Sequence, residues 1–370
     1  MIVRTAAVDV GNDALKALFA GGKRMRIPNV IAYPGERRNV IALEQDPLDG
    51  LHVTVTSSSL SVGKITAAVG NLAGEYAENN ELTRDDDKAT SDQILVLLLT
   101  SLALDALQAA PAQPEHLIAR YRLSTGLPMR EIKNQRSEMF QARLRDTQHE
   151  VAFLDTPQVA GRKVTIGFDD VIVGSEGYAA MMQLVTDDDL HIRDESLRQA
   201  HVLIHDIGGQ STDSAVFKPN LIVDNIHSEG IRLGASPYLD EIIARVEEAH
   251  GYRFRSRSAL VNVLVSPTQR NHVFVKGNRT SIQPIVDDVL TKLAQEEYRQ
   301  VRKIWQTSPE IQLAYLIGGG SAILKDYLEK INQAQEQYPL HFLDPETSVW
   351  SIAQAYDKLA RAHWHKPTSV

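Results

Sequence analysis

The sequence reads Thr5-Ala-Ala-Val8-Asp9-Val10-Gly11-Asn12 near its start, an apolar strand that runs into a turn of glycine and small polar residues. The same pattern returns as Val202-Leu-Ile-His-Asp206-Ile-Gly208-Gly209. An apolar segment follows each turn, at residues 17–19 and 215–217. Each copy therefore predicts a β-hairpin with a glycine tip. The repeat indicates two related domains that face each other, with a ligand bound in the cleft between them.

A third strand ends in a glycine turn at Leu313-Ala-Tyr-Leu-Ile317-Gly318-Gly319-Gly320, and a helix is predicted directly after it, over residues 321–331. The start of a helix favours anions, and glycines let a ligand lie against the backbone. Taken alone, this turn is a weak sign of a nucleotide site. Neither the P-loop pattern nor the G-x-G-x-x-G fingerprint occurs in the sequence, so P-loop and Rossmann folds lose their main support.

Strands alternate with helices along the rest of the chain, which is typical of an α/β fold. Short β-rich pieces lie between residues 26 and 80. Helical spacing of apolar residues predicts further helices over 91–109, 131–145, 240–250, 282–305 and 349–363.

The composition is that of a folded globular protein, with 370 residues of which 43% are hydrophobic and 23% are charged. It excludes disordered, collagen-like and coiled-coil chains. Because 47 acidic residues outnumber 39 basic ones, the net charge is −8 and the chain as a whole is not a basic nucleic-acid binder. We expect any link to DNA to run through a partner protein. The absence of cysteine excludes disulfides, cysteine-ligated metals and thiol catalysis.

Neither a membrane segment nor an export signal is predicted. The amino terminus lacks the basic stretch and long apolar run of a signal peptide. The most apolar segment, residues 94–104, is closed by Asp105 and is shorter than the ~20 residues that a membrane-spanning helix needs. We therefore expect a buried core helix at this segment, and a cytoplasmic protein without membrane contact.

Two acidic residues, Asp9 and Asp206, end the strands that lead into the hairpin tips. Backbone N–H groups of a glycine tip can bind a phosphate, but a neighbouring carboxylate repels it unless a cation lies between them. The pair therefore implies Mg²⁺, held mainly through its water shell. Lys16, seven positions after Asp9, can neutralise phosphate oxygens. A single Asp-x-Gly is usually just a turn, whereas two copies in matching context favour a phosphate site.

Glu176 lies at a predicted switch from strand to helix, within Val171-Ile-Val-Gly-Ser-Glu176-Gly-Tyr-Ala-Ala180. An acid beside a phosphate site can orient a water molecule for attack on a γ-phosphoryl group. An acid at a helix start is also favoured by the helix dipole and then needs no function. Position alone does not separate these two interpretations.

Taken together, these motifs resemble the nucleotide site of the actin/Hsp70/sugar-kinase superfamily. Asp9-Val10-Gly11 with Lys16 matches phosphate 1, Glu176 matches connect 1, Asp206 to Gly209 matches phosphate 2, and Gly318 to Gly320 matches the adenosine motif. Within the superfamily, the chain is most similar to bacterial and archaeal actin-like proteins of the ParM/StbA plasmid-segregation type. Three further matches support this: residues 69–73, residues 124–128, and Gly230 with Gly234.

The resemblance implies an α/β, actin-like two-domain (four-subdomain) ATPase fold, made of duplicated RNase H-like cores with a nucleotide cleft between them. Domain I is expected at 1–198, with subdomain IB at roughly 26–80, and is completed by a C-terminal helix at 345–370. Domain II is expected at 199–344, with subdomain IIB at roughly 231–284. The implied activity is hydrolysis of ATP (or GTP) with Mg²⁺, coupled to filament assembly. The implied partners are other copies of the chain and a DNA-binding adaptor protein.

Residue roles follow from the same resemblance. Asp9 and Asp206 are expected to organise Mg²⁺ and the attacking water, and Glu176 to stand where the family has its catalytic Glu or Gln. The residues expected to bind the nucleotide are Gly11, Asn12, Asp13, Lys16, Gly208, Gly209, Gln210 and Ser211 at the phosphates, and Gly318, Gly319 and Gly320 on the adenosine side.

Three residues depart from the family pattern. Gln210 stands where a third Gly or a Thr is common, His205 where an aliphatic residue is usual, and Asp13 adds an acid to the first tip. Residues 258–264 show no Lys–Glu pair for the ribose and base, so the choice between ATP and GTP stays open. Two alternative functions also stay open: a metabolite kinase of the same superfamily, and an ATPase that does not assemble.

Overall fold

The computed structural model describes residues 1–34, 46–83, 86–110 and 115–364. Parts of two predicted segments lie outside the described residues, namely 35–45 of subdomain IB and 365–370 of the C-terminal helix.

Strands and helices alternate in the structure, which confirms the α/β class. The strands are Ile2–Val10 (β1), Ala14–Phe19 (β2), Lys23–Pro28 (β3), Val30–Ala32 (β4), His52–Thr56 (β5), Lys64–Val69 (β6), Asn80–Glu81 (β7), His116–Leu127 (β8), His149–Phe153 (β9), Lys163–Ser175 (β10), Val202–Ile207 (β11), Thr212–Lys218 (β12), Ile222–Val223 (β13), Glu229–Ile231 (β14), His272–Val275 (β15), Asn278–Ser281 (β16), Leu313–Ile317 (β17) and Leu340–Phe342 (β18). The helices are Asn71–Gly74 (α1), Asp92–Ala109 (α2), Met129–Lys133 (α3), Arg136–Arg145 (α4), Glu176–Val185 (α5), Glu195–Gln199 (α6), Ser236–His250 (α7), Arg257–Val265 (α8), Gln283–Thr307 (α9), Gly318–Ala334 (α10) and Pro345–Trp364 (α11).

The chain divides into two compact units. The first contains Met1–Leu127, Glu131–Ser175 and the segment from Ala353 onward, and the second contains Pro128–Arg130 and Glu176–Ile352. The predicted domain boundary lies at residue 198, whereas helices α5 and α6 belong by their contacts to the second unit. The limits predicted for the domains and subdomains stay a prediction.

The sheet of the first unit starts from the predicted hairpin. Strands β1 and β2 pair antiparallel, with Asp9 opposite Lys16, and β3 continues antiparallel beside β2. On the other side of β1, strands β8 and β10 follow in parallel. Strands β9, β5, β6, β4 and β7 extend the same sheet to ten strands within the described residues.

The second unit repeats this arrangement. Strands β11 and β12 form an antiparallel hairpin with Asp206 opposite Asp213, and β13 lies antiparallel beside β12. Strands β17 and β18 follow β11 in parallel, in the order β13-β12-β11-β17-β18. This order matches β3-β2-β1-β8-β10 strand for strand and direction for direction. The predicted duplication of the core is therefore confirmed.

The apolar segment at 94–104 forms part of α2, which begins at the cap Ser91, whose Oγ accepts a hydrogen bond from Ile94 N at 3.3 Å. By length and composition α2 could cross a membrane, but 78% of it is buried inside the protein, as the prediction of a core helix requires. Asp105 is also fully buried, where it accepts hydrogen bonds from Arg4 Nε at 2.5 Å and Tyr121 Oη at 2.9 Å. These partners explain how an acid sits in an apolar helix.

His149 in β9 is fully buried in the first unit. Its Nδ1 lies 2.8 Å from Ser57 Oγ, and its Nε2 donates to the carbonyl oxygen of Leu144 at 2.8 Å. Burial is the main cause that lowers the pKa of His149, and the positive charge of Arg143 lowers it further, against the opposing effect of the Leu144 hydrogen bond. The folded protein therefore favours the neutral imidazole.

Acidification is expected to destabilise the protein through His149. The unfolded chain takes up this proton near the usual pKa of about 6.5, whereas the folded chain takes it up only at lower pH. Between these two pKa values the unfolded state binds more protons than the folded state, so the Tm falls as pH drops from about 7.5 to 5.5. Thermal unfolding of wild type and His149→Gln over this range measures the effect, and the variant is expected to show a shallower decline. Equal slopes for both proteins would contradict the assignment.

Candidate functional site

The first hairpin brings Asp9 and Lys16 together, as the sequence predicts. Asp9 lies near the end of β1, and Lys16 faces it from β2 with Nζ 3.0 Å from Asp9 Oδ2. Both side chains are mostly shielded from solvent, with 9% exposure for Asp9 and 18% for Lys16. The antiparallel register therefore sets a carboxylate and an ammonium side by side at the base of the tip.

The tip itself is formed by Gly11, Asn12 and Asp13. A Cβ on Gly11 would lie 2.7 Å from the carbonyl oxygen of Ala14, so this position requires glycine. Asn29 anchors the tip from behind, because its Nδ2 donates to Gly11 O at 2.9 Å and its backbone N–H donates to Asp13 O at 2.9 Å. The sequence does not predict Asn29 as a site residue, because an isolated asparagine before a short strand carries no recognisable pattern.

The second tip, Gly208 to Ser211, is fastened to the start of α7. The carbonyl oxygens of Gly208 and Gly209 accept hydrogen bonds from Ala235 N at 3.0 Å and Ser236 N at 2.7 Å. In a trans peptide the C=O and N–H groups point in opposite directions. The N–H groups of Gly209 and Gln210 therefore point away from α7, as an anion-binding turn requires.

Asp213 differs from Lys16, although both lie seven residues after the strand-ending aspartate. It is buried, and its Oδ2 accepts a hydrogen bond from Met129 N at 3.2 Å. A Cβ on Gly230 would clash with the Asp213 carboxylate and lie 3.0 Å from Arg130 N. Asp213 therefore ties the first residue of α3 to β12, and the second hairpin has no lysine at this position.

The third glycine turn lies directly against the end of β11, just before the second tip. The helix α10 begins at Gly318, three residues earlier than the predicted start at 321, and Ser321 Oγ donates to Gly318 O at 2.9 Å. Gly318 has φ +85°, and a Cβ there would clash with the Asp206 carboxylate and lie 2.6 Å from Ile207 O. A Cβ on Gly320 would lie 2.8 Å from the same Ile207 oxygen. By contrast, no other heavy atom of the described residues would lie within 4 Å of a Cβ on Gly319.

The three glycines are therefore expected to respond differently to alanine. Gly318→Ala should lower the free energy of unfolding by about 2 kcal/mol or more, because it adds a left-handed alanine and an overlap with Ile207. Gly319→Ala is the matched control and should leave stability unchanged or slightly raised, because alanine is the better helix former. Thermal unfolding without nucleotide tests both variants. Equal losses in the two would contradict this packing.

Glu176 is the first residue of α5, which follows β10 without a gap, so the predicted strand-to-helix switch is confirmed. Its residue exposure is 9%. The next residue, Gly177, packs so closely on β12 that a Cβ there would lie 2.8 Å from Ala215 Cβ. This contact positions the start of α5, and with it Glu176, against the second hairpin within the same unit.

The residue types present fit Mg²⁺. Asp9 and Asp206 offer hard carboxylate oxygens, and Mg²⁺ commonly keeps most of its waters while one or two carboxylates hold it. Among the described residues, no group of three or more His, Asp or Glu side chains could enclose a metal ion. Each aspartate, taken in its own unit, therefore suits a cation that is held by a single carboxylate, water and phosphate oxygens better than a dedicated metal cage.

Two family models match the sequence. The model for the "Actin like proteins N terminal domain" matches residues 7–178, and the model for the "Alp7A C-terminal domain" matches residues 201–341. No curated protein matches the sequence.

Several solved structures share the fold over nearly the whole chain. The crystal structure of actin-like protein Alp7A is 15% identical, with a TM-score of 0.77, and the match covers 98% of this chain and 97% of that one. ParM from a 15-stranded Clostridium botulinum filament is 19% identical with a TM-score of 0.73, and Bacillus thuringiensis ParM with AMPPNP is 22% identical with a TM-score of 0.70. Each of these two matches covers 98% of this chain and 99% of the other. At these identities the likeness shows that the chain has the actin-like fold.

Proposed function

Because the chain belongs to the actin-like proteins, we propose that it binds ATP with Mg²⁺, hydrolyses it, and assembles with copies of itself into filaments. The observation that carries the proposal is the pair of aspartate–glycine hairpins, one on each copy of the duplicated core. In the second unit, a third glycine turn also packs against Asp206. Turns of this type present backbone N–H groups to phosphate oxygens.

The nucleotide contacts are proposed to come from all three turns. The proposed phosphate contacts are Gly11, Asn12 and Asp13 in the first tip and Gly208, Gly209, Gln210 and Ser211 in the second, while Lys16 adds a positive charge. Gly318, Gly319 and Gly320 contact the adenosine side, where the open space at Gly319 leaves room for a ligand. Mg²⁺ at Asp9 and Asp206 would neutralise the phosphate charge.

Hydrolysis is proposed to depend on Glu176. A carboxylate at the start of a helix beside a phosphate-binding hairpin can accept a proton from a water molecule and align it with the terminal phosphoryl group. Its position against β12 in the second unit supports this role.

The cellular role is proposed to be segregation of plasmid DNA in the cytoplasm, through filaments that are joined to DNA by an adaptor protein. Actin-like relatives of the same fold include the ParM of a Clostridium botulinum filament. The net charge of −8 argues against direct contact between this chain and DNA. An adaptor that binds DNA would supply the missing positive surface.

Right-angle light scattering with parallel phosphate release tests the proposal on purified protein with Mg-ATP, Mg-GTP or Mg-ADP. We expect scattering above a threshold protein concentration, followed by decay as phosphate appears, and no scattering when EDTA removes the magnesium. Phosphate release without scattering at any concentration would contradict assembly while leaving the nucleotide site intact. ATP consumption only with an added small-molecule acceptor would indicate a metabolite kinase instead.

A further inference from the structure

A fully buried polar cluster lies beneath the second hairpin. Its four members are His205 in β11, Thr212 and Ser214 in β12, and Glu297 in α9, and each is 0% exposed. Glu297 Oε1 accepts from Thr212 Oγ1 at 2.8 Å, and Glu297 Oε2 lies 3.1 Å from His205 Nε2. His205 Nδ1 lies 2.9 Å from Ser214 Oγ.

The hydrogen bonds of this cluster form a consistent chain. A carboxylate accepts only, so Thr212 and His205 Nε2 both donate to Glu297, and His205 Nδ1 can accept from the Ser214 hydroxyl. A buried carboxylate without such donors would be strongly destabilising. The sequence predicts His205 as a hydrogen-bonded structural residue, but it does not indicate the partner Glu297, which lies 92 residues away.

The cluster lies next to the second tip, Gly208 to Ser211. His205 immediately precedes Asp206, and Thr212 immediately follows the tip Gly208 to Ser211. Because side chains alternate between the two faces of a strand, His205 and Asp206 point to opposite faces of the sheet. Glu297 therefore holds both strands of the hairpin at the base of the tip, from the face opposite Asp206.

We infer that Glu297, together with Thr212 and His205, is a positioning element for this turn: it fixes the turn's N–H groups and the Asp206 carboxylate in the geometry that binds Mg-nucleotide. The inference rests on the proposed function. A long helix that fastens both strands at the tip limits their fluctuations, and preorganised groups bind at a lower entropic cost. Residues that orient the ligands of a cation typically contribute about 10- to 100-fold in affinity.

The test uses Thr212, where a nearly isosteric change is available. Thr212→Val removes the hydroxyl but keeps the shape, and Thr212→Ser keeps the hydroxyl. We expect Thr212→Val to weaken Mg-ADP binding by about tenfold and Thr212→Ser to bind like wild type. Glu297→Gln should weaken binding similarly, because its amide nitrogen cannot accept a hydrogen bond. Isothermal titration calorimetry with Mg-ADP, below the concentration at which scattering begins, measures the affinities.

A matched control separates positioning from simple destabilisation. Glu131 is a buried glutamate in the first unit that accepts backbone hydrogen bonds from Lys88 N and Ala89 N, each at 2.9 Å. Glu131→Gln makes the same chemical change without removing any hydrogen bond of the Glu297 cluster. We expect a reduced Tm for both glutamine variants, but weaker Mg-ADP binding only for Glu297→Gln.

The outcomes are distinguishable. Thr212→Val and Glu297→Gln with lowered Tm but wild-type affinity would show that the cluster only supports folding, and would overturn the inference. Equal loss of affinity in Glu131→Gln would overturn it as well. If wild type itself fails to bind Mg-ADP or Mg-ATP, the proposed function fails and the inference fails with it.

Discussion

Asp206→Ala is expected to weaken Mg-ADP binding by roughly 100-fold, because removing one partner of a shielded charge interaction costs about 2–5 kcal/mol. Asp206 is near the end of β11, and its carboxylate lies against the position that Gly318 leaves free of a Cβ. Alanine would remove the oxygens that a hydrated Mg²⁺ needs. Filament assembly should then require much more nucleotide, or fail.

Asp206→Asn is the matched variant for this experiment. It keeps the side-chain shape beside Gly318 but removes the negative charge. We expect it to fold with a Tm close to that of wild type and to lose most of its dependence on magnesium in calorimetric titrations with ADP. Affinity equal to wild type in both variants, with and without magnesium, would remove Asp206 from the nucleotide site.

Glu176→Ala is expected to slow phosphate release by about 100-fold or more, which is the usual contribution of a general base. Nucleotide affinity should stay unchanged, because Glu176 is proposed to act on the water and not on the bound nucleotide. Filaments that hydrolyse slowly persist, so light scattering should reach its plateau as in wild type and decay much later. Phosphate release and scattering recorded on the same sample measure both effects.

The competing interpretation is that Glu176 only stabilises the start of α5. Glu195 offers a matched control, since it is an acid at the first position of α6 and belongs to the same unit. A helix-start acid contributes typically 0.3–1 kcal/mol to stability. If Glu176→Ala merely lowers the Tm, as Glu195→Ala should, and hydrolyses ATP at the wild-type rate, Glu176 is structural.

The local elements of this protein could be predicted from its sequence. Strand, tip and returning strand occur where Asp9-Val10-Gly11 and Asp206-Ile207-Gly208 predict them, because alternating apolar residues and glycine turns act over a few residues. The register that pairs Asp9 with Lys16 also follows from local spacing. The helical spacing of apolar residues does not reveal breaks within a helical segment. It predicts one helix over 131–145, but Gln135 adopts φ +58° and separates α3 from α4.

Only the tertiary structure decided what supports these turns. The anchor Asn29, the bond from Met129 to Asp213, the closeness of Gly318 to Asp206 and the buried carboxylate of Glu297 all join residues that are far apart in the chain. Periodicity tells which face of an element is buried, but it carries no information about which distant side chain meets it there. The sequence by itself therefore determined the fold class, the repeated hairpins and the chemical type of the site. The packing between elements determined how the turns of each unit are held, because hydrogen bonds at 2.7–3.2 Å depend on three-dimensional positions that no local pattern encodes.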